Sequence, residues 1–494
     1  PSKIEKLSFD GKDLSGKLLP EGKYKAVLSA AYVNGYKPET ETPEFTLDIT
    51  PPTAQVTASE KLFSPDGDGQ LDRVVFSHTY TGSGSWTAEI YKATNGHKIE
   101  DSAPILKREF GPNPPAKFEW TGRKDDGTLA EDGKYAYGLR GTDEAGNSAA
   151  SNIVIVELNT EKADIILQSN YSAFSPNGDK VKDTLELYPV VKSHTAVSSY
   201  KVTIKDSKGR PVKVFEGAAP PKKLVWNGTN GEGAGGKKDE VCPDGTYSAE
   251  FEVELANRQT AKSVIPEITI DTQFPEIRIS APYLAFSPGA GTGKNRLPIT
   301  QVSSAEKKWT GRFVDAKNKT VRTEVWEGKA GNMEWKAGDD LGNKVPDGRY
   351  TYIVEAEDEA GNKTVQKLEG IVVDSREAKG YITAKYPVFS PVAADGKNTE
   401  EFTVFTNIDA ELETWNIKVS SVETGTVFAE WKQEGSAALP KKLTWNGKNA
   451  KTGENAPDGR YMAQAYIEYK KGDVVTAFTE PFALSTKPAK LGVT

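Results

Sequence analysis

Cysteine is nearly absent from this chain. Its 494 residues hold one, Cys242, so no intrachain disulfide is available and each domain must stand on its own core. Such scarcity suits a cytosolic protein and a bacterial surface protein alike. Histidine is almost as rare, with His78, His97 and His194 at non-equivalent places. The sequence has no His-x-x-x-His or Cys-x-x-Cys pair and no Gly-x-Ser-x-Gly segment, which removes the common zinc and hydrolase signatures. Nor does any residue pair stand out as a nucleophile with its base. No apolar run approaches the ~20 residues of a membrane span. An excess of positive charge is missing too: the net charge of −7 leaves no basic face for a nucleic-acid backbone. The chain opens at Pro1 without a secretory leader, and the expectation is a processed protein or a piece of a longer one.

What the chain does have is aromatic residues and repetition. Nine Trp, 19 Tyr and 18 Phe argue against disorder. Phe-Ser-Pro begins at residues 63, 174, 286 and 389, with intervals of 111, 112 and 103. Asp-Gly-x-Tyr begins at residues 132, 244, 347 and 458. Trp120, Trp226, Trp335 and Trp445 fall between them, and Trp86, Tyr200, Trp309 and Trp415 form a fourth series. A period near 110 exceeds the ~20–50 residues of solenoid repeats and suits one whole domain per copy. Glu21-Gly22-Lys23-Tyr24 reads as the same turn in a truncated copy.

Within each copy the signal is β. Tyr135, Tyr137 and Leu139 alternate by twos, as do Tyr247, Ala249, Phe251 and Val253, so each set shares one strand face. Pro-Asp-Gly supplies turn chemistry before them. Further strands are expected over 73–76, 86–90, 105–110, 117–120 and 153–158, and no amphipathic helix of three turns is found. The fold class is therefore all-β: tandem immunoglobulin-like or fibronectin-III-like antiparallel β-sandwiches, expected to form an elongated rod. Exits toward short, partly proline-bearing linkers give domains at 53–160, 161–273, 274–376 and 377–494, after a partial C-terminal half at 1–52.

Phe63-Ser64-Pro65-Asp66-Gly67-Asp68, Phe174-Ser175-Pro176-Asn177-Gly178-Asp179, Trp226-Asn227-Gly228 and Trp445-Asn446-Gly447 resemble the signature of the immunoglobulin-like domain of the flagellar hook-capping scaffold family. Thr142 to Asn147 and Glu357 to Asn362 look like the late turn of many bacterial surface repeats, among them large spirochaete surface or periplasmic proteins. The resemblance implies an extracytoplasmic location, at the cell surface or in the periplasm. Partners would be other envelope proteins or further copies of the chain.

The strongest candidate for chemistry is the acidic loop. Asp66, Asp68 and Asp72 sit at spacings that curl round a hard cation such as calcium, and Asn177, Asp179 and Asp183 repeat the pattern with less charge. The matching places in the third copy are Gly289, Gly291 and Asn295, and in the fourth Val392, Ala394 and Asp395. The alternative is an Asx-turn loop whose side-chain oxygens cap backbone N–H groups. The recurrent tryptophans read as core pins in preference to sugar platforms. Phe110, Phe215, Trp326 and Trp431 are expected to share a core position. Cys242 reads as a small buried hydrophobe, and the glycine-rich stretch 228–236 as an inserted surface hairpin tip. The expected function is a non-enzymatic stalk or scaffold of the bacterial envelope. Its alternatives are a glycan- or host-ligand-binding adhesin or accessory module, and a hook-assembly-type scaffold.

Overall fold

The computed structural model describes residues 6–487 except 83, 95–96, 99–102, 232–238, 290, 292, 395 and 435–436. Among these there is no helix, and every element is a strand. The chain divides into two compact units, 1–172 with 184–270, and 173–183 with 271–494.

The first full repeat shows the plan. Thr53–Ala58, Val74–Thr81 and Lys117–Trp120 form a three-stranded antiparallel sheet. A larger sheet runs in the order Leu106–Gly111, Gly84–Thr94, Gly133–Asp143, Val154–Leu158 and Leu62–Phe63. Alternation sends Val74, Phe76 and His78 inward from one sheet and Trp86, Ala88 and Ile90 inward from the other. The third and fourth copies repeat both sheets, with Ile277–Ser280, Leu297–Ser303 and Met333–Trp335, then Gly380–Ala384, Glu400–Thr406 and Lys442–Trp445 as the smaller ones. In the second, Asp164–Ser169, Leu185–Lys192 and Leu224–Trp226 form the smaller sheet.

The marker residues are the pins of this plan. Trp120, Trp226, Trp335 and Trp445 are at most 2% exposed. Each indole N–H donates to the carbonyl three residues on, at Arg123, Thr229, Gly338 and Lys448, over 2.8–3.0 Å. The ring thus fills the core while its one polar atom is satisfied by the turn that follows. Burying a tryptophan removes roughly 150–250 Å² from water, which is worth about 4–6 kcal/mol. Each Asp-Gly-x-Tyr tyrosine does the same job from the next strand. Tyr135, Tyr247, Tyr350 and Tyr461 donate to the carbonyl four residues back, at Glu131, Pro243, Pro346 and Pro457, each over 2.6 Å. Tyr24 repeats this bond to Pro20 at 2.7 Å.

The aspartate of that turn has a task of its own. Asp132, Asp347 and Asp458 accept from both the N–H and the hydroxyl of Thr160, Ser375 and Thr486, just beyond the last strand. Glu21 plays the corresponding part in the partial copy, accepting from Ile49 N–H and the Thr50 hydroxyl. Composition and turn propensity explained this aspartate only as a turn former. The structure shows that it also fixes where the chain leaves the sandwich.

Phe110, Phe215, Trp326 and Trp431 are all half-buried, but they do not share one register: Trp326 pairs Trp309, whereas Phe215 and Trp431 pair Val202 and Ile417, two residues past the equivalent Tyr200 and Trp415, and Phe110 sits in a bulge opposite Trp86. They lie on outer strands of the larger sheet (Leu106–Gly111, Pro211–Gly217, Thr320–Gly328 and Val427–Lys432), where one flank has no neighbouring strand to cover it. Before Thr53 the plan is incomplete. Gly22–Tyr24 pairs Phe45–Leu47 and Val27–Ser29 pairs Glu39–Glu41, with Val27, Leu28, Tyr32 and Tyr36 all more than half exposed.

Candidate functional site

The Phe-Ser-Pro segment opens a loop closed by one backbone bond. Ser64 N–H donates to Leu71, Ser175 to Lys182, Ser287 to Lys294 and Ser390 to Lys397, over 2.8–3.0 Å. Closure therefore survives in the copies whose carboxylates are gone.

In the first loop, Asp66, Asp68 and Asp72 each place one carboxylate oxygen within 4.8 Å of the other two. The same carboxylates organise the loop's backbone. Asp72 accepts from Gly67 N–H at 2.7 Å and Gly69 N–H at 2.8 Å, Asp68 from Gln70 N–H at 2.7 Å, and Asp66 from Asp68 N–H at 3.2 Å. The second loop keeps these bonds with one charge fewer. Asp183 takes Gly178 and Lys180 N–H, Asp179 takes Val181 N–H, and Asn177 takes Asp179 N–H. Here the Asn177 amide also donates to Asp179 at 3.2 Å, so an N–H points at an oxygen that would otherwise face a cation. Calcium needs about six to eight oxygens, and each cluster brings three side chains. Side-chain oxygens bonded to the N–H two residues on form Asx turns in both loops. In the fourth loop Asp395 lies outside the described residues.

The loops do not face open solvent alone. Gln259 donates its amide N–H to Asp66 and, at 3.3 Å, to Ser64, which is fully buried. That bond, and the cation Lys162 behind it, hold the Asp66 carboxyl below its ordinary range. Asn177 donates to Asn362 at 3.1 Å, and Lys182 Nζ donates to the Glu359 carbonyl at 2.7 Å. Lys294 Nζ donates to the Lys470 carbonyl at 3.0 Å. In every case the contact residue belongs to the late turn of the following copy.

That turn also grips the chain just ahead of its own sandwich. Asn147 donates to Asp48 O at 3.1 Å. Asn257 donates to Asn159 O at 3.1 Å and Glu161 O at 2.9 Å. Asn362 donates to Asp271 O at 2.9 Å and Gln273 O at 3.3 Å, and Lys471 Nζ donates to Arg376 O. Asn257 and Asn362 are fully buried and Lys471 is 2% exposed. Position within the turn is set by its closing bonds: Asp143 to Asn147, Leu255 to Gln259, Asp358 to Asn362 and Tyr469 to Asp473. By that register the gripping residue is fifth in the first and third copies and third in the second and fourth. The shift hid the equivalence from motif reading.

No protein-family model matches the chain, and no curated protein matches it. Among solved structures, a tetra-tandem repeat from the extending region of a large adhesion protein aligns at 15% identity and a TM-score of 0.31, over 88% of this chain and 100% of that one. Fibronectin(III)-like modules of Clostridium thermocellum CbhA align at 13% identity and a TM-score of 0.24, over 44% of this chain and 94% of that one. The strand order, not these alignments, carries the fold. This chain is a tandem array of immunoglobulin-like β-sandwich repeats.

Other candidate groups are structural. Cys242 is 2% exposed, its thiol lies 3.3 Å from Asn230 Oδ1, and burial pushes its pKa up to about 11, far from a reactive thiolate. The expected hairpin tip falls on residues 232–238, which lie outside the described residues, and with it Lys237 and Lys238. No helix of the described residues is long and apolar enough to cross a membrane.

Proposed function

We propose that this chain is a non-catalytic spacer of the bacterial envelope, holding apart or assembling the components at its ends. The supporting observation is how each sandwich begins and finishes. Leu62–Phe63 pairs in parallel with Val154–Leu158, Ala285–Phe286 with Lys363–Val373, and Val388–Phe389 with Phe482–Leu484. Glu157 N–H donates to Lys61 O and Asn159 N–H to Phe63 O, and the later copies repeat this pair at Val372 and Asp374, and at Ala483 and Ser485. Tension applied to the two ends of a sandwich pulls parallel neighbours in opposite directions. Their hydrogen bonds are then loaded together in shear and cannot be peeled one at a time. Where the load passes through the second and last strands of a copy, this arrangement favours resistance to pulling.

Single-molecule stretching of the full chain tests this reading. Each unfolding event should release about 350 Å, the extended length of some 105–110 residues less the folded domain. Glu157→Pro, which removes one of the sheared donors, should lower the force of one event only. Smooth extension without discrete events would remove the spacer reading.

A second reading has an observation of its own. In the last copy Tyr381 and Phe405 stand directly opposite each other on neighbouring strands, 64% and 55% exposed, and Phe478 is 52% exposed. Tyr381 and Phe478 also line a cleft of about 660 Å³ with Lys385 and Glu480. Among the described residues of the four full copies, aromatics more than half exposed occur only here, which suits ligand contact, as an adhesin or accessory module would need. Glycan-array binding that Tyr381→Ala abolishes would favour this reading over a bare spacer. The hook-assembly scaffold is a subtype of the first reading, and co-assembly with a polymerising partner would distinguish it.

A further inference from the structure

We propose that the first three Phe-Ser-Pro loops are docking surfaces for the late turn of the repeat that follows, and that the polar residues of the loop serve this contact. Three contacts carry the inference, with a different chemistry in each. In the first, Gln259 bridges Ser64 and Asp66. In the second, the Asn177 amide meets the Asn362 amide and Lys182 caps the Glu359 carbonyl. In the third, Lys294 caps the Lys470 carbonyl, the carbonyl equivalent to Glu359, and stands 3.8 Å from Glu413. The side chains changed between copies while the pair of segments in contact did not.

The glycines of the turns point the same way. A Cβ on Gly361 would lie 2.9 Å from Val181, and one on Gly472 would lie 2.9 Å from Lys294. Both glycines hold a φ near +95°, a conformation glycine adopts freely, and a side chain at either place would also collide with the loop.

The buried grip on the linker completes the contact. Asn257 holds Asn159 O and Glu161 O while Gln259, two residues on, holds the loop. One turn thus ties together the loop before it and the linker leading into its own sandwich. On this reading Asp66 is a hydrogen-bond acceptor for Gln259, and the substitution of Asn for Asp at position 177 preserves the contact because paired amides replace amide and carboxylate.

Distance measurements between two spin labels on the full chain test the proposal. Labels go on the exposed positions Lys117 and Lys222, since buried Cys242 is shielded from labelling. Asn257→Ala with Gln259→Ala should broaden the distance distribution at least twofold, and Asp66→Ala should broaden it partly. Asp66→Asn should leave it unchanged, because an amide still pairs with Gln259. An unchanged distribution in the double variant would overturn the proposal. So would Asp66→Asn behaving like Asp66→Ala with chelator reproducing both, which would make the loop a cation site. Should the double variant unfold, Lys294→Ala decides at another contact, since that side chain is not part of a core. Trypsin cleavage after Arg376, whose carbonyl the following turn holds, should accelerate at least threefold, and an unchanged rate would count against docking.

Discussion

His78 Nε2 lies 2.8 Å from the Tyr137 hydroxyl, inside the core of the first full repeat. On the other side of the ring, Nδ1 is 2.7 Å from the Pro115 carbonyl. A carbonyl only accepts, so Nδ1 carries the proton and Nε2 accepts from the tyrosine. The third repeat builds the same bridge from groups that do not titrate, with Tyr352 donating to Gln301 at 2.8 Å.

Burial holds His78 below its ordinary value of 6.5. In the unfolded chain the ring gains its proton first. The stability of this repeat is therefore complete above about pH 6.5 and declines as the pH falls through that value. One proton bounds the slope at about 1.4 kcal/mol per pH unit. Denaturant midpoints measured at pH 8 and pH 5 should separate in wild type. They should converge in His78→Gln, which copies the third repeat.

The last repeat should respond to acid with the opposite sign. Glu400 is fully buried; Oε1 accepts from Lys385 and Tyr386 N–H, while Oε2 has no partner. Desolvation raises its pKa above 4.5, so the folded state takes up a proton before the unfolded state does. Stability of this repeat should rise as the pH falls toward 4.5. Glu400→Gln should remove that rise, as followed by the melting of the transition reported by Trp415 and Trp445.

Replacing one pin tryptophan should damage one repeat. Trp335→Phe loses the bond to Gly338 and part of the indole volume, at a cost of about 2–4 kcal/mol. Calorimetry of the full chain should show one transition displaced to lower temperature while the others stay in place.

The acidic loop gives a melt that separates turn from metal. Backbone N–H groups already engage Asp66, Asp68 and Asp72, so millimolar chelator should leave the first repeat's transition unchanged within about a degree. A calcium-dependent rise that Asp68→Ala abolishes would establish a cation at this loop.

Strands, pins and periodicity were readable because a two-sheet core makes local demands. Trp120 must be apolar and large, and Gly133 must turn the chain, whatever the neighbouring copy does. The contacts between copies were not readable for two reasons. Their partners are far apart in sequence, as Asp66 and Gln259 are. Their chemistry also slides along the turn, from Asn257 to Asn362 in register, so no fixed motif marks them. The exposed pair Tyr381 and Phe405 escaped for a related reason: strand alternation identifies a face, but only the completed sheet shows which face stays uncovered.

The differing chemistry of the three contacts has an evolutionary consequence. Each sandwich is modular, but its neighbours are not interchangeable. Excising the second repeat would set the Asp66 loop against the Asn362 turn. Excising the third would set the Asn177 loop against Lys470 and Lys471, where no side-chain amide waits. Recombination among copies would then be filtered at the seams, and the order of the repeats would be inherited as a unit even while their number and their sequences drift.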